Sequence, residues 1–307
     1  MIIPRTESFP VEAAPRRRSR IRRFFQILLV TGVLAFLLDL LAGTWLIAPR
    51  QKHFPIPVGI DYTVEPVTFP SESGATVQGW LIPAANARAV VILMHGVHAD
   101  RTTMLERVPF LHAAGYTLLL FDFQAHGETV GKHITFGYLE SRDATAAVAF
   151  ARQKFPDAKI GVLGVSMGGA AALLAQPPLP VAAMIVESAY PTIEQAIDDR
   201  LVVRLGPWGK YGARLLTWQL RPRLGFGVED LCPIRSVANI TVPKFFMAGD
   251  KDRNTTLAES QALFAAAAEP KQLWIVPGAG HVDLHHFARA EYEQRVLAFL
   301  REHLGGA

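Results

Sequence analysis

The decapeptide at 160–169, Ile-Gly-Val-Leu-Gly-Val-Ser-Met-Gly-Gly, constrains this chain more than any other stretch. An apolar β-like run ends in Gly-x-Ser-x-Gly and passes at once into a small-residue helix. Joining strand to helix so abruptly requires a sharp turn that thrusts Ser166 into the open. A serine hydroxyl is a weak nucleophile until a base stands beside it and hydrogen-bond donors face the oxyanion it generates, so such a turn has a chemical use. Gly164 and Gly168 suit a place where backbones approach closely and the serine's own φ/ψ are strained. Ser166 is the candidate nucleophile, and the rest of the chain can be searched for its partners.

Near-continuous apolar strands are expected at 89–94, 117–122, 159–163, 181–186, 244–248 and 271–276, with antiparallel edge strands at 63–69 and 77–82. Helical patterns fall between them at 101–114, 138–154, 167–175, 256–267 and 290–304. This alternation predicts an α/β fold with a mostly parallel central sheet and helices on both faces. Residues 190–235 break the rhythm with Trp208, Tyr211, Trp218 and several Arg, and predict a small helical cap insertion over an apolar site. The partners of Ser166 must come from later strand ends on the same rim. Ala-Gly-Asp-Lys-Asp-Arg-Asn at 248–254 follows one such strand, and Pro-Gly-Ala-Gly-His at 277–281 follows the next. The order Ser, Asp, His is that of a triad in which His281 takes and returns the serine proton while an acid fixes the ring.

From about residue 60 onward the sequence resembles the α/β-hydrolase superfamily, nearest its esterase-like and serine-peptidase-like branch with a Gly-x-Ser-x-Gly-Gly elbow. The resemblance implies the acid of a Gly-x-x-Asp pattern, which is Asp252, and leaves Asp250 as a loop-capping acid. It implies an oxyanion hole made by the backbone N–H groups of Met167 and Val97, the latter in His95-Gly96-Val97-His98. His95 and Gly96 support that loop, and His98 stands where it could face the substrate. Phe-Asp-Phe-Gln-Ala-His-Gly-Glu at 121–128 resembles the family's Asp-x-Arg-Gly-x-Gly loop, with Gln124 and Ala125 where Arg and Gly often stand, which argues against an anion site there. Asp122 is expected to gather loop N–H groups, and Asp143 and Glu187 are read as structural, although Glu187 could line the site.

The function so implied is hydrolysis of a small-molecule carboxylic ester through an acyl-enzyme. A serine aminopeptidase needs an acid to grip the substrate's ammonium, and Glu187, Glu194, Asp198 and Asp199 are its candidates. An acyltransferase would use the same triad and exclude water, and a non-catalytic binding protein on this fold is the alternative of another class. Three histidines and an acid at 281–286 have the chemistry of a zinc site, yet no partner cluster accompanies them and His281 serves the triad, so no metal is expected. No dinucleotide or phosphate-loop pattern appears, and no cofactor is implied.

The amino end carries a second signal. Residues 24–48 form a 25-residue apolar run broken only by Asp39 and preceded by Arg16, Arg17, Arg18, Arg20, Arg22 and Arg23. Its fifteen Leu, Ile, Val and Phe residues favour insertion by about 5 to 9 kcal/mol in all, against about 3 for one Asp. A transmembrane helix is therefore expected, with 1–23 a basic cytoplasmic tail, 49–60 a linker and 61–307 an extracytoplasmic hydrolase domain, in a periplasm or outside the cell. A cleavable signal peptide is the rival, but its apolar core is shorter and ends in an Ala-x-Ala-like site. Seven Arg against Glu7 and Glu12 in residues 1–23 exceed the whole chain's net +4, so the basic balance is local and implies no nucleic acid. Cys232 is the sole cysteine, which excludes an intramolecular disulfide.

Overall fold

The computed structural model describes residues 16–56, 62–85 and 89–305. In chain order the elements are α1 (Arg16–Ile47), β1 (Arg50–Gln51), β2 (Glu65–Pro70), β3 (Thr76–Ile82), β4 (Ala89–Met94), α2 (Val108–Ala113), β5 (Thr117–Phe121) and β6 (His126–Gly127). There follow α3 (Glu140–Lys154), β7 (Lys159–Val165), α4 (Met167–Leu174), β8 (Ala183–Glu187), α5 (Ile193–Leu205), α6 (Gly209–Trp218), α7 (Leu220–Leu224) and α8 (Pro233–Ser236). The chain closes with β9 (Lys244–Gly249), α9 (Leu257–Ala266), β10 (Lys271–Val276), α10 (Leu284–Phe287) and α11 (Arg289–Leu304).

The main sheet has the order β10-β9-β8-β7-β4-β5-β3-β2. Its strands run parallel from β10 to β5, and β3 and β2 add antiparallel edges. Apolar runs such as Ala-Val-Val-Ile-Leu-Met in β4 are buried throughout because successive side chains point to opposite faces, and helices cover both. Val90, Ile92 and Met94 pack with Ala147 of α3 and Leu173 of α4 on one face. Val91 and Leu93 pack with Leu111 of α2 and Leu300 of α11 on the other. The chain runs from β4 outward to β5, then crosses back to β7 on β4's other side. The carboxyl ends of β4 and β7 thus flank a switch point, where crevices form in open α/β sheets.

The helix expected at 101–114 divides into a 3₁₀ segment, Arg101–Arg107, and α2. Asp100 caps the first, its carboxylate accepting from Thr102 N–H. Residues 190–235 form the expected helical cap, closed over its own core of Tyr190, Ile193, Ala196, Leu220, Phe226 and Leu231.

The linker expected at 49–60 is not one where it is described. Arg50–Gln51 pair in parallel with His126–Gly127, and the Arg50 and Lys52 N–H groups donate to the Ala125 and Gly127 carbonyls. Phe54 is buried edge-on against Trp80, with the Arg101 guanidinium over its ring. Residues 57–60 lie outside the described residues, as does most of the basic tail. The separation of anchor from catalytic domain also gives way. Ile21–Ile47 is long and apolar enough to be a candidate membrane span, yet its last turns pack on the cap. Gln219 donates to the Asp39 carboxylate at 2.5 Å, and Arg223 donates to Leu40 O at 2.9 Å and Thr44 Oγ1 at 2.7 Å.

Candidate active site

Ser166 ends β7 at the turn into α4 with φ +51° and ψ −112°, a region that L residues occupy only when the surroundings enforce it. Those surroundings are backbone. The Ser166 N–H donates to Glu187 O at 2.7 Å, and Ala170 N–H donates back to Ser166 O. A Cβ on Gly164 would stand 2.6 Å from the Gly168 carbonyl and Gly169 N, and one on Gly168 would strike Met94 O. The two glycines therefore let β7, α4 and the end of β4 meet at one point.

The structure brings the three sequence-predicted side chains together. Ser166 Oγ lies 3.4 Å from His281 Nε2, and His281 Nδ1 lies 2.7 Å from Asp252 Oδ2. The second oxygen of Asp252 accepts from the Asn254 and Thr255 N–H groups at 2.8 and 2.9 Å, which fixes the carboxylate's orientation. Asp250 laces the two loops together: its Oδ1 accepts from Gly278 N–H at 2.7 Å, and Lys251 N–H donates to Ala279 O. The acid and the imidazole are thus carried on loops bound to each other beyond the ends of β9 and β10.

The loop after β4 stands on two neutral histidines. His95 is fully buried, accepts from Phe123 N–H at Nε2 (3.1 Å) and faces Gly96 O with Nδ1 (2.7 Å). Burial pushes its pKa down to about 4, with Arg101 acting in the same direction. His126 accepts from His98 N–H at Nε2 (3.2 Å), and burial, with His95 beside it, likewise brings it to about 4. Val97 lines the cavity over Ser166, and Met167 opens α4, where a helix's first N–H groups lack intrahelical acceptors. His98 faces α1 as well as the cavity: Nε2 is 3.0 Å from Leu46 O, and its ring lies edge-on to Trp45.

Asp122, Asp143 and Glu187 have settled partners. Asp122 accepts from the Arg101 and Glu128 N–H groups and from the Arg101 guanidinium, while burial outweighs these and raises its pKa to about 6. Asp143 is bound by Ser73 and Gln124 N–H and is pushed by burial to about 7. Gln124 donates to His133 O and Glu140, so it is a strut of its loop. Glu187 does not line the cavity: it is wholly buried and accepts from Arg107, Tyr292 OH and Leu284 N–H. Of the other ammonium-gripping candidates, Glu194, Asp198 and Asp199 also lie outside the cavity lining. His285 pairs with Glu293 at 3.0 Å and stacks on Phe110, and His286 is exposed, so neither joins His281 around a common point.

Sequence reasoning missed three residues. Arg107 sits in the segment expected as a helix at 101–114 and carries no assigned role there, yet it is fully buried and ties Glu187 to Asp283, two residues beyond His281. Arg200 of the cap lines the cavity and donates to Asn254 O in the Asp252 loop at 3.0 Å. Ser188, at φ +50°, is buried beside the cavity, and its Oγ has no partner among the described residues. A polar residue directly after a buried strand was the one available signal for Ser188. The cavity itself measures about 480 Å³ and lies between the cap, the elbow, the loop after β4 and the end of α1.

Residues 85–230 match the family model described as serine aminopeptidase, S33. An uncharacterized protein of Mycobacterium tuberculosis is 27% identical over 270 residues, covering 83% of this chain and 85% of the relative. A probable 2-oxo-3-(5-oxofuran-2-ylidene)propanoate lactonase of a Bradyrhizobium species is 28% identical, covering 70% and 84%. Among solved structures, the Pyrococcus furiosus esterase Pf2001 superposes with a TM-score of 0.68 at 26% identity, over 84% of this chain and all of that one. With the sheet order and strained elbow found here, these likenesses lead to one assignment: the chain is a hydrolase belonging to the α/β-hydrolase superfamily.

Proposed function

We propose that the chain is a membrane-anchored serine hydrolase that cleaves carboxylic esters through an acyl-enzyme on Ser166. The observation that carries this is the continuous contact from Ser166 Oγ through His281 to a carboxylate whose other oxygen is already held. The 3.4 Å gap between hydroxyl and imidazole is one that closes when substrate presses on the serine. Ser166 Oγ attacks the ester carbonyl while its proton passes to His281 Nε2. The Val97 and Met167 N–H groups take the negative charge on the carbonyl oxygen, and Asp252 stabilises the imidazolium. Collapse expels the alcohol with that proton. Water, deprotonated by the same imidazole, then releases the acid and restores Ser166.

The esterase reading is favoured over the aminopeptidase by the charges around the cavity. Arg200, Arg204 and Arg223 line it, and Asp283 is its one lining acid among the described residues. Asp283 is engaged by Arg107 at 2.8 Å, which with a helix-turn N–H bond outweighs burial and holds the carboxyl below its usual range. A substrate ammonium would meet cations. The lactonase relative and the esterase structure act on the ester class by their names, which supports the same choice.

Labelling by a fluorophosphonate, lost in Ser166→Ala, tests the nucleophile, and an unlabelled wild type refutes the reading. Parallel assays with p-nitrophenyl acyl esters and aminoacyl arylamides separate esterase from peptidase; turnover of arylamides alone reverses the choice. The α1 helix is read as an uncleaved span with the hydrolase domain outside the cytoplasm. A reporter after Ala307 that works only when exported is the expected result, and activity of a strictly cytoplasmic reporter there overturns that topology.

A further inference from the structure

The cap carries apolar side chains that its own core does not use. Trp208, Tyr211 and Trp218 are 76, 69 and 60% exposed, and Leu205 and Leu215 are exposed beside them. Arg204, Lys210 and Arg214 are interleaved with these residues and also exposed. On a water-facing surface so many large aromatics on and just before one short helix would be an aggregation hazard. Their position relative to α1 supplies another setting.

Gln219, directly after α6, reaches Asp39 on α1, and Arg223 of α7 reaches Leu40 O and Thr44. The apolar stretch of α1 before Asp39, from Phe24 to Leu38, measures about 22 Å at 1.5 Å per residue, and the long side chains of Arg22 and Arg23 before it can reach the near headgroups, so the helix has crossed most of a bilayer's hydrocarbon by Asp39. Asp39, with the polar contacts it makes to the cap, ends this uncharged stretch, so α6 is fastened toward the far side of the hydrocarbon. Trp and Tyr concentrate at the hydrocarbon's boundary, where their rings meet both apolar chains and headgroups, and Arg and Lys there attract anionic headgroups.

We infer that the exposed face of α6 and the end of α5 lies in the membrane–water interface, and that the cavity beneath takes a membrane-resident acyl ester of an amphiphilic lipid. This rests on the reading of α1 as a span and, for the substrate, on the esterase reading. Gly43, Leu46 and Ile47 of α1 are part of the cavity's wall, together with Leu216 and Leu220 of the cap. The last turns of the anchor are thus at once the end of the bilayer helix and a side of the acyl site. A lipid in the far leaflet lies against the same helix that walls the cavity, whereas a water-soluble ester has no use for that wall. Arg204 and Arg223, which also line the cavity, suit a lipid headgroup that carries negative charge.

The test uses the full chain in phosphatidylcholine–phosphatidylglycerol vesicles. Bimane is placed on Trp208→Cys or Trp218→Cys in a Cys232→Ala background, with Glu302→Cys, at the far end of α11, as the reference. Spin-labelled lipids with shallow labels should quench the 208 and 218 probes about twofold or more and leave the 302 probe alone. Equal behaviour of all three probes overturns the docking. In the second arm, Trp208→Ser/Tyr211→Ser/Trp218→Ser should lower turnover of a long-chain monoacylglycerol in the vesicles about tenfold, with p-nitrophenyl butyrate turnover within about twofold of the wild type. A parallel loss of both activities, or of neither, refutes the inference. Quenching without any ester turnover by the wild type sinks the esterase reading and the substrate with it, while the docking stands. Hydrolysis of the soluble ester alone by the wild type overturns only the lipid substrate. An intact-mass measurement showing α1 removed from the purified protein sinks the span on which the docking rests.

Discussion

Replacing Arg107 by Met should expose how much of the active-site framework depends on one buried cation. Arg107 has no exposed surface and donates to Glu187 (3.1 and 3.3 Å), Asp283 (2.8 and 3.1 Å) and Tyr292 OH (3.0 Å). Removing one partner of a buried pair costs about 3 to 5 kcal/mol, because the other charge is left without compensation. Here the abandoned charge is Glu187. It keeps the Tyr292 hydroxyl and Leu284 N–H, which hold the cost toward the lower end. Asp283 has a side chain 38% exposed and can turn to water, so it adds less. At about 2 to 4 °C per kcal/mol for a domain of this size, the variant should melt roughly 6 to 15 °C lower. Adding Glu187→Gln removes the stranded charge and preserves an acceptor for Leu284 N–H, so the double variant should recover about 1 to 3 kcal/mol relative to Arg107→Met. Near-UV circular dichroism melts of the four proteins in one detergent give the cycle. A single variant within about 2 °C of the wild type, or a double variant less stable than the single, refutes the assignment of the cost to an uncompensated Glu187.

Three further outcomes follow from the same geometry. Asp252→Asn keeps an acceptor for the Asn254 and Thr255 N–H groups but presents the wrong partner to His281 Nδ1. Ester kcat should drop by about 10⁴ with the melting temperature little changed, and a loss under tenfold means another group orients the ring. Gly164→Ala sets a methyl 2.6 Å from backbone, so it should cost about 1 to 3 kcal/mol and, by displacing Ser166, lower fluorophosphonate labelling; a fully labelled variant of wild-type stability refutes the close approach. His95 is held neutral to about pH 4, whereas an unfolded histidine titrates near 6.5. Between those values the unfolded chain binds more protons there, so this residue's contribution is complete above pH 6.5 and is lost as pH falls toward 4. Asp122 and Asp143, with raised pKa values, act in the opposite direction as they protonate in acid. The clean readout is therefore the His95 ring itself by histidine-resolved NMR, and a midpoint near 6.5 contradicts its burial.

The elbow, the buried strands and the order Ser166, Asp252, His281 were legible in the sequence because each has a local cause. A strand-to-helix turn needs glycine where backbones touch, a strand buried on both faces needs an unbroken apolar run, and a common rim needs the site residues directly after strand ends. The apolar run that begins at Phe24 likewise announces a helix with an apolar surface, which ends at Ile47. Contacts between distant segments could not be read in the same way. Arg107 meets partners 80, 176 and 185 residues away, and nothing in its own neighbourhood distinguishes it from a solvated arginine. Residues 50–52 look like a linker until β6 lies beside them, since a two-residue pairing has no periodicity of its own. The meeting of α1 with the cap, through Asp39 and Gln219 180 positions apart, makes the end of a long apolar helix into a wall of the cavity over Ser166. Hydrophobic pattern records which face of an element must be covered, but the identity of what covers it is settled only when the whole chain has folded.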